Sequence, residues 1–123
     1  FETDIPIKQQ LPVFIAPSGS LPKVVKFYRE ISPKLKSVTL IITKLKLLAT
    51  GDWEVFVSPL DDQYLKDPRP FMIQLGHRSM LSRASNFIKI YKSGTFLETT
   101  KGKLSPKIVN MQYQNGFSVQ WYG

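Results

Sequence analysis

Apolar residues fill the chain from Val38 to Ala49, but their spacing changes halfway. The odd positions Ile41, Leu45 and Leu47 stay apolar, while the even ones pass from Val38, Leu40 and Ile42 to Lys44 and Lys46. A period of two is a strand signal. The change describes a strand buried on both faces at first, then showing lysines to something polar. A long first strand that bends to serve both halves of a small barrel has this pattern. After the turn at Thr50-Gly51-Asp52, Trp53, Val55 and Val57 alternate. A three-residue loop there sets Ala49 opposite Trp53, Leu47 opposite Val55 and Leu45 opposite Val57. A two-residue loop spoils that match, because a slip of one residue turns every side chain to the other face. Phe71, Ile73 and Leu75 predict a third strand.

Helical spacing follows. Ser79 to Ser85 places Met80, Leu81 and Ala84 on one helical side. Phe87 to Tyr91 then alternates Ile88 and Ile90 against Phe87, Lys89 and Tyr91, which predicts a strand. That strand either turns at Ser93-Gly94 or continues through Leu97 to a turn at Lys101-Gly102. Upstream, Leu21 to Ile31 carries Val24, Phe27, Tyr28 and Ile31 at helical spacing. Ser20 suits the N-cap and Pro22 the first turn, and Pro33 stops the helix near Ser32. Val24-Val25 and Phe27-Tyr28 also suit a strand. Pro6 and Pro12 confine Phe1 to Ile15 to an edge strand or an arm. At the other end, Lys107–Gln114 and Phe117–Tyr122 form a hairpin. A three-residue loop, Gln114-Asn115-Gly116, aligns Tyr113 with Phe117, Met111 with Val119 and Val109 with Trp121, and needs Gly116 in the left-handed region.

Strand, strand, strand, helix, strand, strand is the order of an OB-fold. The expected class is all-β with one or two short helices, built as an OB-fold-like five-stranded barrel. An antiparallel β-sandwich is the alternative. Residues 1–35 make an N-terminal arm and a helix packing on the barrel, and residues 36–123 make the barrel, in a single domain. Ile41, Leu47, Val55, Ile73, Ile88 and Ile90 are expected in its core.

At 123 residues with 42% hydrophobic and 21% charged residues, the chain can bury a core. It has no cysteine, which excludes a disulfide framework, a cysteine-zinc site and a thiol nucleophile, and fixes no compartment. Its single histidine argues against a histidine-rich metal site or a His-dependent triad. No apolar run reaches membrane-spanning length. Seventeen Lys and Arg against nine Asp and Glu give a net charge of +8, which favours an anionic partner.

No catalytic or metal constellation emerges, and no cofactor is implied. His77 reads as a loop histidine and Asp61-Asp62 as a solvated loop, since adjacent side chains rarely converge on one cation. The informative surface is the one opposite the core. If Val55, Ile73, Ile88 and Ile90 point inward, then Phe56, Met72, Gln74, Phe87, Lys89 and Tyr91 point outward beside Lys44 and Lys46. Aromatics among lysines suit single-stranded nucleic acid, with rings for stacking and cations for phosphates. Lys92 follows Tyr91 and is counted with these cations, and Lys101 and Lys103 bring charge to the next turn. The other reading buries Phe56 and Phe87 under the N-terminal arm or helix.

Several segments from Trp53 onward share a pattern with known domains: Val55-Phe56-Val57-Ser58-Pro59-Leu60-Asp61, Ser85-Asn86-Phe87-Ile88-Lys89-Ile90-Tyr91-Lys92, Lys101-Gly102-Lys103 and Asn115-Gly116-Phe117-Ser118-Val119. Over about half its length the chain resembles the telomere end-binding family of OB domains. Ser85-Asn86 stands where that family has Gly-Asp, and Tyr91-Lys92 where it has Arg-His. The resemblance implies binding of single-stranded DNA ends without catalysis.

The resulting expectation is a non-enzymatic protein that binds single-stranded DNA or RNA through Lys44, Lys46, Phe56, Phe87, Lys89, Tyr91, Lys92, Lys101 and Lys103. Further protein subunits are allowed as partners. A nuclear or other intracellular setting goes with it, with an extracytoplasmic one as the alternative. The rival expectation is a β-sandwich that binds protein or glycan, as part of a cell-surface or viral protein.

Overall fold

In a computed structural model of the chain, the described residues are 12–60, 69–93, 106–113 and 116–121. They form strand β1 (Val13–Ile15), helix α1 (Leu21–Lys36), strands β2 (Leu40–Leu47), β3 (Trp53–Pro59) and β4 (Phe71–Gly76), helix α2 (Met80–Lys92), and strands β5 (Pro106–Asn110) and β6 (Ser118–Trp121). The six strands make one sheet in the order β1-β2-β3-β4-β5-β6. β1 runs parallel to β2 and β4 parallel to β5, and the other neighbours are antiparallel. The fold is thus mostly β, with two helices. Among the described residues β1 and β6 stand at the two ends of one sheet and do not pair with each other, so the strands form neither the expected barrel nor two stacked sheets.

One ladder row gives the core face: Phe14, Leu45, Val55, Ile73, Val109 and Val119 stand side by side across all six strands. Both helices cover this face. α1 buries Val24, Phe27, Ile31 and Leu35, and the Phe27 ring lies 4.4 Å from that of Trp53. α2 buries Ala84, Phe87 and Tyr91, whose two rings meet Phe71 at 6.0 and 6.2 Å. Leu47, Val55 and Ile73 are buried as expected, whereas Ile41, Ile88 and Ile90 are only half-buried.

β2 bends where its pattern changes. The ladder pairs Ile42 with Val57 and Lys44 with Phe56, which leaves Thr43 as an extra, exposed residue whose Oγ1 donates to the Phe56 carbonyl at 3.3 Å. This bulge moves the buried set from the even positions Leu40 and Ile42 to the odd Leu45 and Leu47. The first half is therefore not buried equally on both faces, as its composition suggested. The β2–β3 turn is wider than expected: Leu47 pairs with Trp53, and Leu48 N–H donates to the Asp52 carbonyl. The β5–β6 hairpin shifts in the same way, with Val109 opposite Val119 rather than Trp121, and Gly116 does not take positive φ. Both shifts are by two residues, which keeps the side chains nearest each turn on their expected faces; Ile41, beyond the bulge, lies on the face opposite Leu45 and Leu47.

Two segments differ in kind. Phe87–Tyr91 is the second half of α2, not a strand. Ala84, Phe87, Ile88 and Tyr91 stand at helical spacing, beside the alternation that Phe87–Tyr91 also shows, and as a helix the segment puts two aromatic rings into the core. α1 continues through Pro33 to Lys36. Pro33 lies on the exposed side, where water can satisfy the carbonyl it leaves without a donor. The expected continuation through Leu97 and the turn at Lys101-Gly102 lie outside the described residues.

Candidate functional site

The face of the sheet away from the helices carries two further ladder rows that cross all six strands. The first runs Val13, Lys44, Phe56, Met72, Ile108 and Gln120. The second runs Ile15, Lys46, Glu54, Gln74, Asn110 and Ser118. One row is largely apolar and its neighbour polar. Phe56, Met72 and Ile108 are half-buried, and Val13 is 53% exposed. Phe56, Met72 and Ile108 line a groove of about 300 Å³, rimmed by Thr43, Pro70 and Lys107. Lys44 Nζ stands 4.7 Å from the Phe56 ring centre, a cation–π contact.

The expected binding residues are divided by this architecture. Lys44, Lys46 and Phe56 do share the helix-free face. Phe87 and Tyr91 do not: they are 0% and 1% exposed, stacked on each other at 5.5 Å inside the core. Their outward orientation followed from reading α2 as a strand, so neither ring can stack a base. Lys89 and Lys92 are exposed on α2, across the sheet from Lys44 and Lys46, and sit in its last turn, where their charge complements the helix dipole. Lys89 borders a separate cleft of about 430 Å³ with Arg83, Met111 and Tyr113. Lys101 and Lys103 lie outside the described residues. Ile108 was missed, because its place beside Met72 depends on a parallel β4–β5 pairing that periodicity does not reveal.

The strands' far end holds a polar cluster. His77 Nδ1 and Asp52 Oδ1 are 3.0 Å apart, and Thr50 Oγ1 donates to Asp52 Oδ2 at 2.8 Å. The Asp52 carboxyl is held below its usual pKa, first by the Thr50 hydrogen bond and then by the one with His77. Both partners meet the carboxylate. In a triad the hydroxyl meets the imidazole, so this cluster fastens the β2–β3 turn to the loop after β4 and activates no nucleophile. Among the described residues no group of His, Asp and Glu is arranged to hold a metal.

Comparison with known proteins decides the family. The family described as "Cell division protein FtsQ/DivIB, C-terminal" matches residues 1–113. The chain belongs to this FtsQ/DivIB family. A relative within reach of direct alignment is the cell division protein FtsQ of Vibrio cholerae serotype O1 (strain ATCC 39315 / El Tor Inaba N16961), 26% identical over 106 residues. The alignment covers 86% of this chain and 35% of the relative, so the chain spans about a third of that protein's length. FtsQ/DivIB membership overturns the telomere end-binding resemblance, whose short strand-turn-strand motifs recur in unrelated β folds. With it go single-stranded DNA or RNA as partner and the telomeric role. The cell-surface or viral sandwich module is not supported either. A bacterial division protein fits the extracytoplasmic alternative better than a nuclear setting. No helix among the described residues is long and apolar enough to cross a membrane.

Proposed function

We propose that this FtsQ/DivIB domain is a non-enzymatic contact module of the cell-division machinery, working outside the cytoplasm and recruiting partner proteins through the β6 edge of its sheet. The observation that carries this reading is the contrast between the two ends of the sheet. β1 is flanked by Pro12 and Pro17, which blunt it against further pairing. β6 holds Ser118, Val119, Gln120 and Trp121, with neither proline nor charge. Val119 anchors the strand to the core, while Ser118 and Gln120 are exposed. An edge of this kind accepts an extended peptide by strand addition, in which backbone bonds supply affinity and alternate side chains supply specificity.

The test replaces the chromosomal copy of the full-length protein with a Ser118→Lys/Gln120→Lys variant. Edge lysines oppose strand addition and leave the inward residues in place. The expected result is filamentous, undivided cells at normal protein level, with loss of division proteins from the purified complex. Normal division and an unchanged complex would overturn the reading.

A further inference from the structure

We propose that the helix-free face of the sheet is a second docking surface, which takes an acidic segment of a partner protein by lodging its apolar side chain in the groove between Phe56, Met72 and Ile108. This rests on the partner-binding reading above and adds a separate site to it. Both helices pack on the opposite face, and among the described residues no element covers this one. The row from Val13 to Gln120 crosses five strand spacings of about 4.8 Å each, roughly 24 Å in all. That length accommodates a peptide segment rather than a single small ligand.

Charge selects the occupant. Lys44 and Lys46 stand on β2, and Lys107 rims the groove. Glu54 is the one carboxylate in the two rows, and it stands opposite Lys46. The Lys44 ammonium already lies over the Phe56 ring, so positive charge meets the apolar floor directly. An acidic segment carrying an apolar anchor complements both features. The relief of the face separates a protein from an anionic bilayer. Phe56, Met72 and Ile108 are recessed and half-buried, so they receive a side chain instead of inserting into lipid. The neighbouring Gln74, Asn110 and Ser118 supply hydrogen-bonding groups for a peptide backbone.

The test uses the full-length protein and labelled synthetic peptides tiling the extracytoplasmic segments of the same organism's division proteins, with anisotropy read at low and high salt. Binding of an acidic tile is expected to weaken about tenfold or more in Met72→Lys, and likewise in Lys44→Glu/Lys46→Glu. A tile with its acids changed to lysine should regain affinity for the Lys44→Glu/Lys46→Glu protein, a rescue that misfolding cannot mimic. Lys89→Ala, exposed on α2 across the sheet from this face, should bind that tile normally. Tiles that bind wild type and face variants equally would overturn this surface and leave the β6 reading standing. No binding by any tile would overturn both. Binding to phosphatidylglycerol vesicles that the face variants abolish, without any face-dependent tile, would assign the surface to lipid and overturn the proposal.

Discussion

Lys44 Nζ sits 4.7 Å from the centre of the Phe56 ring, across the antiparallel β2–β3 pair. The two residues are ladder partners on the helix-free face, so the contact follows from register alone. It also occupies the aromatic face that sequence reasoning assigned to a base. A cation over an exposed ring contributes about 0.5–1 kcal/mol. A double-mutant cycle of Lys44→Met and Phe56→Leu should return a coupling of that size from denaturant midpoints. Additive effects of the two changes would show that the contact stabilises nothing.

Tyr91 and Phe87 predict the opposite behaviour from a binding platform. Both rings are buried against Phe71. Truncating a buried aromatic residue removes its transfer energy and leaves a cavity, at a cost of about 3–5 kcal/mol. Phe87→Ala and Tyr91→Ala should each lower stability by that order in chemical denaturation. Lys89→Ala, on the exposed side of the same helix, should change it by less than about 0.5 kcal/mol.

These residues also mark how far the sequence could be read. Trp53–Val57 and Phe71–Leu75 alternate without a competing period, and both are strands with their odd residues inward. Hairpin registers moved by two residues at both turns and the faces beside the turns survived, because parity rather than loop length sets the face. Phe87–Tyr91 failed because five residues can satisfy a period of two and a helical stripe at once. The bulge at Thr43 left a trace, the switch from even to odd, but nothing in the pattern said which residue was extra. The candidate site was half legible for the same reasons. Lys44, Lys46 and Phe56 lie together on an unambiguous hairpin, while Ile108 joins them only through a non-local parallel pairing.

Asp52 gives a pH prediction. Its folded-state carboxyl pKa is lowered, chiefly by the Thr50 hydrogen bond and then by His77. A group with a depressed folded pKa adds stability that is complete above its unfolded value, about 4. That contribution disappears as pH falls through the lowered folded value. Asp52→Asn and Thr50→Val should therefore both flatten the fall in Tm below about pH 4. An acid limb identical to wild type in both variants would remove Asp52 from the acid response.

Gly76 closes β4 at φ +77°, and a Cβ there would stand 2.7 Å from Arg83 Nη1 and 3.0 Å from Gln112 Cγ. Arg83 is not free to retreat without cost, because its Nη1 donates to the Leu75 carbonyl at 2.8 Å and so ties α2 to the end of β4. Gly51 supplies the control: its φ is +93°, but its added Cβ would meet only His77 Cβ, at an ordinary 3.8 Å. Left-handed backbone costs a non-glycine residue about 1–2 kcal/mol, so Gly51→Ala should lose roughly that amount. Gly76→Ala should lose more, by about the 0.5–1.5 kcal/mol of one hydrogen bond. Adding Arg83→Met to Gly76→Ala should cost less than the sum of the two changes, since the displaced guanidinium is already gone. Equal losses in Gly76→Ala and Gly51→Ala, with strict additivity of Arg83→Met, would show that only the backbone angle matters at this corner.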